Sequence, residues 1–162
     1  MDHEAQQAVL PYRHTQIGYV TLVGLAFGFA TQLGKAVRDL RGHKRWAWVS
    51  VPRALVLGAA LGLFSSLRVA VDAEGVTAGF SGGLLSHRVA LDEVEASAVV
   101  TVPWTRGWGI RKTAGGWMYN VSGRRAVELT LSEGRTFTIG SDEPDALLAA
   151  IERARAARSA AA

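Results

Sequence analysis

Read for the spacing of apolar and polar side chains, the chain changes character once, near residue 67: apolar residues come in unbroken runs before it and alternate with polar ones after it. The run Ile17-Gly-Tyr-Val-Thr-Leu-Val-Gly-Leu-Ala-Phe-Gly-Phe-Ala-Thr-Gln-Leu33 carries no ionisable side chain. At ~1.5 Å per helical residue its roughly 17 residues span about 25 Å, which predicts a short membrane-crossing helix. It starts late, follows Asp2 and Glu4 rather than a basic cluster, and is followed by Lys35 and Arg38 rather than a cleavage site, so it reads as retained. A second run, residues 46–67, is long enough to cross at about 22 residues, although its uncharged part, residues 54–67, is only about 14. Arg53 lies about two turns inside that helix, from where its stem reaches the headgroups, and Trp46 and Trp48 suit the same interface. Together the runs predict an N-terminal tail, residues 1–16, and a transmembrane hairpin, residues 17–67.

The loop between them, residues 34–45, carries Lys35, Arg38, Arg41, Lys44 and Arg45 against one acid, Asp39, and these five cations are candidate headgroup contacts. The flanks are poorer, with Arg13 before the first run and Arg68 after the second, so the positive-inside rule places the remainder of the chain on the non-cytoplasmic side. A re-entrant or interfacial hairpin whose basic turn grips anionic headgroups is the alternative. Gly24-x-x-x-Gly28 and Gly58-x-x-x-Gly62 have the spacing that lets helix backbones approach closely, either within this hairpin or against other helices.

From residue 67 onward the alternation predicts half-buried antiparallel strands at residues 67–71, 76–80, 86–91, 95–102, 109–113, 117–121, 126–131 and 135–139, separated by turn chemistry. Asp72-Ala-Glu-Gly75 reads as a hairpin turn with Gly75 free to take positive φ, and Ser132-Glu-Gly-Arg135 closes a second hairpin. A final helix has Pro144 in its first turn, Ser141 or Asp142 as cap, an apolar stripe of Leu147, Leu148 and Ile151, and Arg153, Arg155 and Arg158 near its end. The prediction is an α+β, mainly β domain over residues 68–158, a partly open antiparallel barrel or sandwich of about seven strands with a capping helix, and a short tail, residues 159–162.

Composition narrows the chemistry. The mean hydropathy of +0.14 is high for a soluble chain of this size and agrees with a membrane segment. No cysteine is present, which excludes disulfides, thiolate nucleophiles and Cys-based metal sites. The excess of 18 Lys and Arg over 14 Asp and Glu suits anionic partners. His3, His14, His43 and His87 are dispersed with no i, i+4 pair, so no helix offers a two-histidine metal face. Asp92, Glu93 and Glu95 read as a solvated strand exit rather than a general acid and base. Ser81-Gly-Gly83 reads as a turn, lacking the following helix and base of a phosphate-binding loop, and Asn120-Val-Ser122 fits the glycosylation sequon. No cofactor and no catalytic residue are expected.

Four stretches, Trp104-Thr-Arg-Gly-Trp-Gly-Ile-Arg111, Gly116-Trp-Met-Tyr-Asn-Val-Ser-Gly123, Ala126-Val-Glu-Leu-Thr-Leu131 and Gly140-Ser-Asp-Glu-Pro-Asp-Ala-Leu147, resemble the membrane-anchored bacterial pleckstrin-homology-like domain proteins, as does Tyr12-Arg-His-Thr-Gln-Ile-Gly18. The resemblance implies a pleckstrin-homology-like barrel capped by a C-terminal helix and anchored by two helices, and implies no reaction. Phosphoinositide-binding members of the wider fold cluster Lys and Arg at the first hairpin turn; here that turn is Asp72-Ala-Glu-Gly75 with only Arg68 near, and its charge opposes specific phosphoinositide capture.

The loop from Pro103 to Trp117 interleaves Trp104, Trp108 and Trp117 with Arg106, Arg111 and Lys112. Such a loop docks on a protein partner or a bilayer surface, or fills a barrel end with its tryptophans. Nucleic-acid binding would use the same residue types but does not suit an anchored domain. The expected function is a non-enzymatic, membrane-tethered interaction module contacting lipid bilayer and a protein partner. The alternative is an accessory or regulatory subunit of a larger membrane complex, packed through its helices.

Overall fold

The computed structural model describes residues 11–80 and 83–161; His3 and most of the Ser81-Gly-Gly83 turn lie outside them. The element order is β1 (Tyr12–Ile17), α1 (Tyr19–Arg41), α2 (Ala47–Phe64), β2 (Ser66–Val71), β3 (Gly75–Phe80), β4 (Leu85–Ala90), β5 (Val94–Thr101), β6 (Gly109–Lys112), β7 (Gly116–Asn120), β8 (Arg125–Leu131), β9 (Thr136–Gly140) and α3 (Pro144–Ala161). The strands form a four-stranded sheet in the order β1-β2-β3-β4 and a five-stranded sheet in the order β5-β8-β9-β7-β6, so the fold is α+β. All pairings are antiparallel except that of β7 with β9.

The predicted tail, residues 1–16, needs correction, because residues 12–16 belong to a ninth strand. β1 runs antiparallel to β2 in continuous register, Tyr12 opposite Val71 through Ile17 opposite Ser66. The helical hairpin is therefore inserted inside a β-hairpin. No linker separates sheet from helix: the Gly18 N–H donates to the Ser65 carbonyl at 3.0 Å, the Thr21 hydroxyl to the Val121 carbonyl at 2.6 Å, and the Gln16 amide to Ser122 Oγ at 3.1 Å. An ideal Cβ on Gly18 would come within 2.8 Å of the Val121 carbonyl oxygen, so glycine is what allows this approach.

One core joins both sheets and α3. Leu67, Val69 and Val71 of β2, Phe80 of β3, Leu129 of β8, Phe137 and Ile139 of β9, and Leu147 and Ile151 of α3 are buried together. Phe64, the last residue of α2, meets Phe80 edge-on at 5.2 Å, and the aromatic contacts continue through Tyr119 to Phe137. α3 begins at Pro144 as predicted, but Glu143 rather than Ser141 or Asp142 stands at its cap position, and Ser141 Oγ accepts from the Glu143 N–H at 3.1 Å in the turn that precedes the helix. Its arginines do more than complement a dipole, since Arg155 donates to the Glu95 carbonyl at 3.0 Å and Arg158 pairs with Asp92 at 3.5 Å.

The first hairpin turn is held by Asp72, whose Oδ1 accepts from the Glu74 and Gly75 N–H groups, both at 2.9 Å, and from Arg88 at 2.8 Å. Gly75 does not take positive φ; it is needed because a Cβ would lie 2.5 Å from the Val89 carbonyl oxygen. Burial raises the pKa of Asp72, but the two backbone donors and Arg88 outweigh it and hold the carboxyl below its ordinary value. A lowered carboxylate pKa stabilises the fold above the ordinary value, and this contribution is lost as pH falls through the lowered one. Asp72→Asn, which keeps the acceptor oxygen and loses the charge, should therefore be less stable than wild type at neutral pH. Melting of the full chain in detergent should show that gap closing below about pH 4; a gap constant over that range would count against the assignment.

α1 and α2 pack against each other and leave most of their apolar surface uncovered by the chain, including Val23, Phe27, Leu55 and Val56. Both are long and apolar enough to cross a membrane. The predicted loop, residues 34–45, is helical through residue 41, so Lys35, Arg38 and Arg41 stand on the last turns of α1 and only Lys44 and Arg45 of the five cations lie in the connection. The extension is held by the i, i+4 pair of Lys35 with buried Asp39 at 2.6 Å and stops where Gly42 and Lys44 return N–H groups to the carbonyls of Arg38 and Asp39. Of the four spaced glycines, an ideal Cβ on Gly58 would lie 3.0 Å from the Phe29 ring and one on Gly28 would lie 3.9 Å from Leu57, so these two sit at the α1–α2 contact. A Cβ added at Gly24 or Gly62 would meet no atom of the chain within 4 Å.

Candidate interaction surface

The Trp and Arg residues of the 103–117 segment leave the sheet by two routes. After β5 the chain crosses the outer face of the five-stranded sheet, where Val102 is buried with Met118 and Ala126, and enters a single 3-10 turn, Trp104–Arg106. Gly107, at φ +67°, then redirects it into β6. Trp104 is 77% exposed on this turn, and Arg106 is exposed beside it. The structure brings Trp108 and Arg111 next to the domain-proximal turns of α1 and α2, where residues 107–111 and Val20, Gly24, Leu25 and Phe64 line one cleft.

Lys112 and Trp117 occupy the other end of the β6–β7 hairpin. The register pairs Gly109 with Asn120 and Lys112 with Trp117, and Val121, next after Asn120, contacts the start of α1. At about 3.3 Å per residue Trp117 therefore lies roughly 13 Å along the strand from that junction. There it borders a second groove, of about 360 Å³, with His87, Lys112, Arg135 and Phe137. The His87 ring lies 4.8 Å from that of Phe137, so the groove has an aromatic floor and cationic walls. It bridges β4, an edge of the four-stranded sheet, and the β6, β7 and β9 side of the other sheet.

The headgroup candidates Lys35, Arg38, Arg41, Lys44 and Arg45 gather at the far end of the helical hairpin, together with exposed Trp46 and Trp48. Charge is thus found at both ends of the hairpin, although along the sequence the domain-side cations fall well outside it.

The remaining chemical candidates fasten the fold. His14 Nε2 lies 2.7 Å from Asp142, tying β1 to the start of α3. Tyr12, on the same strand, has its pKa raised by burial and by the charges of Glu143 and Asp142. Asn120 is 1% exposed and donates to the Gly123 carbonyl, so the sequon asparagine is a buried turn residue rather than a glycan acceptor. Asp92 and Glu93 form the 3-10 turn Leu91–Glu93, and the Ser97 hydroxyl meets Glu152 of α3. No group of three His, Asp or Glu among the described residues is placed to hold a metal ion.

Sequence reasoning missed the junction formed by Gln16, Gly18, Thr21, Val121 and Ser122. The available signal was the inward alternation of Tyr12, His14 and Gln16, which is polar and escapes a search for apolar periodicity. No family model matches the chain, and no curated protein matches it.

Proposed function

We propose that the chain is a membrane-tethered, non-enzymatic interaction module, a pleckstrin-homology-like β domain held flush against a bilayer by a two-helix anchor. The observation that supports this best is the pairing of β1 with β2 across the helical hairpin without any linker. A hairpin crossing twice returns the chain to the side it left, which is what strand pairing requires. The domain then cannot move away from the surface, and its effective concentration for a partner in the same membrane rises accordingly. The two sheets closed by a C-terminal helix lend support to the pleckstrin-homology-like resemblance, from whose expected antiparallel domain of about seven strands the parallel β7–β9 pairing and the nine described strands depart.

In this reading Trp104 and Trp108, with Arg106 and Arg111, rest among the headgroups on the domain side, where indole rings and cations are favoured. Arg38, Arg41, Lys44, Arg45, Trp46 and Trp48 do the same on the opposite surface, and the charge bias of that end places the β domain on the non-cytoplasmic side. The groove beside Trp117 faces away and is the place for a protein partner, an acidic or aromatic segment matching its cationic walls and aromatic floor. His14, Arg125 and Arg158 serve ion pairs that join elements, which favours a structural over a catalytic use of these groups.

Single-tryptophan variants in vesicles containing lipids with a shallow fluorescence quencher test the arrangement. Trp104 and Trp108 should be quenched and Trp117 spared; equal quenching of all three, or of none, would sink it. An accessory subunit of a larger assembly is the second reading, favoured by the uncovered helix faces around Val23, Phe27, Leu55 and Val56. A monodisperse monomer after mild detergent extraction counts against that reading.

A further inference from the structure

Between the helical hairpin and the edge strand β6 lies a cleft of about 630 Å³, a size that falls within the roughly 300–1,000 Å³ typical of small-molecule sites. Its helix side is mainly apolar, with Val20, Leu25, Ala60 and Phe64 beside the one hydroxyl residue Thr21, and Gly24 deepens it by contributing no side chain. Its domain side is Ile110 and the residues flanking it. Arg111 belongs both to this cleft and to a second depression of about 270 Å³ on the outer face of the sheet, which it shares with Arg106 and Lys112. Among the described residues no acidic side chain lines either space.

Arg111 is also held ready. Its Nε donates to the Trp108 carbonyl at 3.4 Å, and its guanidinium lies over Gly107, where an ideal Cβ would come within 2.9 Å of Nη2. Among the described residues no carboxylate pairs with Arg106, Arg111 or Lys112, whereas Arg88, Arg125, Arg155 and Arg158 each have one. An apolar slot opening beside helices that would lie in a bilayer, joined at its mouth to the uncompensated cations Arg111 and Arg106, has the chemistry of a lipid tail followed by a phosphate.

We propose that this cleft binds one anionic glycerophospholipid drawn from the surrounding bilayer, an acyl chain lying against Val20, Gly24 and Phe64 and the phosphate on Arg111 with Arg106. The proposal rests on the membrane-tethered reading above and adds a discrete, stoichiometric ligand to it. The site is separate from the acidic Asp72 to Gly75 turn, and it reads the phosphate and net charge of the headgroup rather than an inositol ring.

The test is native mass spectrometry of the full chain released from membranes of phosphatidylcholine mixed with phosphatidylglycerol. Wild type should retain one phosphatidylglycerol in preference to phosphatidylcholine. Arg111→Gln should lower that preference about tenfold, as loss of a charge-assisted contact implies. Gly24→Leu, whose Cβ would meet no neighbouring atom within 4 Å and whose branched end would occupy the slot beside Val20, Leu25 and Phe64, should abolish retention of either lipid while leaving the melting temperature near that of wild type. Retention unchanged in both variants, retention of many lipids without preference, or a lipid-free dimer with the cleft filled by a second copy would overturn the proposal. If wild type retains no lipid while Trp104 and Trp108 are still quenched in vesicles, the bound lipid is refuted and surface docking stands. Loss of quenching as well would remove both.

Discussion

Gly116→Val should cost about 3 kcal/mol or more of stability, at the upper end of what overpacking a well-filled site costs. The reason is a backbone obstacle: an ideal Cβ on Gly116 would lie 1.8 Å from the Thr136 carbonyl oxygen and 2.9 Å from its carbon. Gly116 stands opposite Thr136 in the one parallel pairing, that of β7 with β9, so relief requires those two strands to part. They carry Met118, Tyr119, Phe137 and Ile139, all buried in the core clusters, and separation would open the interior. For a domain of this size the loss corresponds to a fall in melting temperature of roughly 12 °C or more. Gly115→Ala is the matching control. There the nearest atom is the Thr136 hydroxyl at 2.7 Å, part of a side chain able to rotate away, and the loss should stay near 1 kcal/mol. Thermal melts of both variants, followed by near-ultraviolet circular dichroism in detergent, check the pair; equal losses would show that the parallel pairing yields as easily as a side chain.

The second large effect is all-or-none. Reporters placed ahead of β1 and after Ala162 should give the same answer, and a reporter inserted at Gly42 the opposite one. The first two positions are coupled by the continuous β1–β2 ladder and by the His14 contact with Asp142 on the way into α3, which a membrane between them would not permit. The Gly42 turn is separated from them by α1 and α2, about 34 Å and 27 Å long at 1.5 Å per residue. From the charge bias the Gly42 reporter should be cytoplasmic. An exported Gly42 reporter would reverse the orientation, and three reporters on one side would replace the transmembrane hairpin by an interfacial one.

Much of this fold was legible because strands such as β2 and β8 bury one apolar face, and period-two alternation at Leu67, Val69 and Val71 or at Val127, Leu129 and Leu131 admits one interpretation. β1 was not legible for the same reason. Its inward residues Tyr12, His14 and Gln16 are polar or amphipathic, and its partner lies beyond an entire helical hairpin. The end of α1 was misread because a run of bases looks like a loop, while the signals that favoured helix, the Lys35 and Asp39 spacing and the inward Ala36, depend on what α2 presents to them. The candidate surface shows the same division. Trp104, Trp108 and Trp117 were grouped because they alternate with bases along the sequence, and they looked like one site because sequence distance does not register that β6 and β7 carry Lys112 and Trp117 to the opposite end of the hairpin.

The insertion of two helices between β1 and β2 also sets an order of assembly. β1 leaves the ribosome before either helix and has no hydrogen-bonding partner until β2 has been made. Closing so long a loop by random search would carry an entropic cost that grows with the logarithm of its length. Insertion of a two-helix hairpin removes that search, because the first residue of β2 is delivered beside the last residue of β1 when the second helix is seated. A chain that seated only one helix would leave an unpaired strand stranded across the bilayer from its partner sheet, with a row of free backbone donors open to capture. On the proposed membrane-tethered reading, completion of the first sheet is thus a built-in record that both helices were seated together.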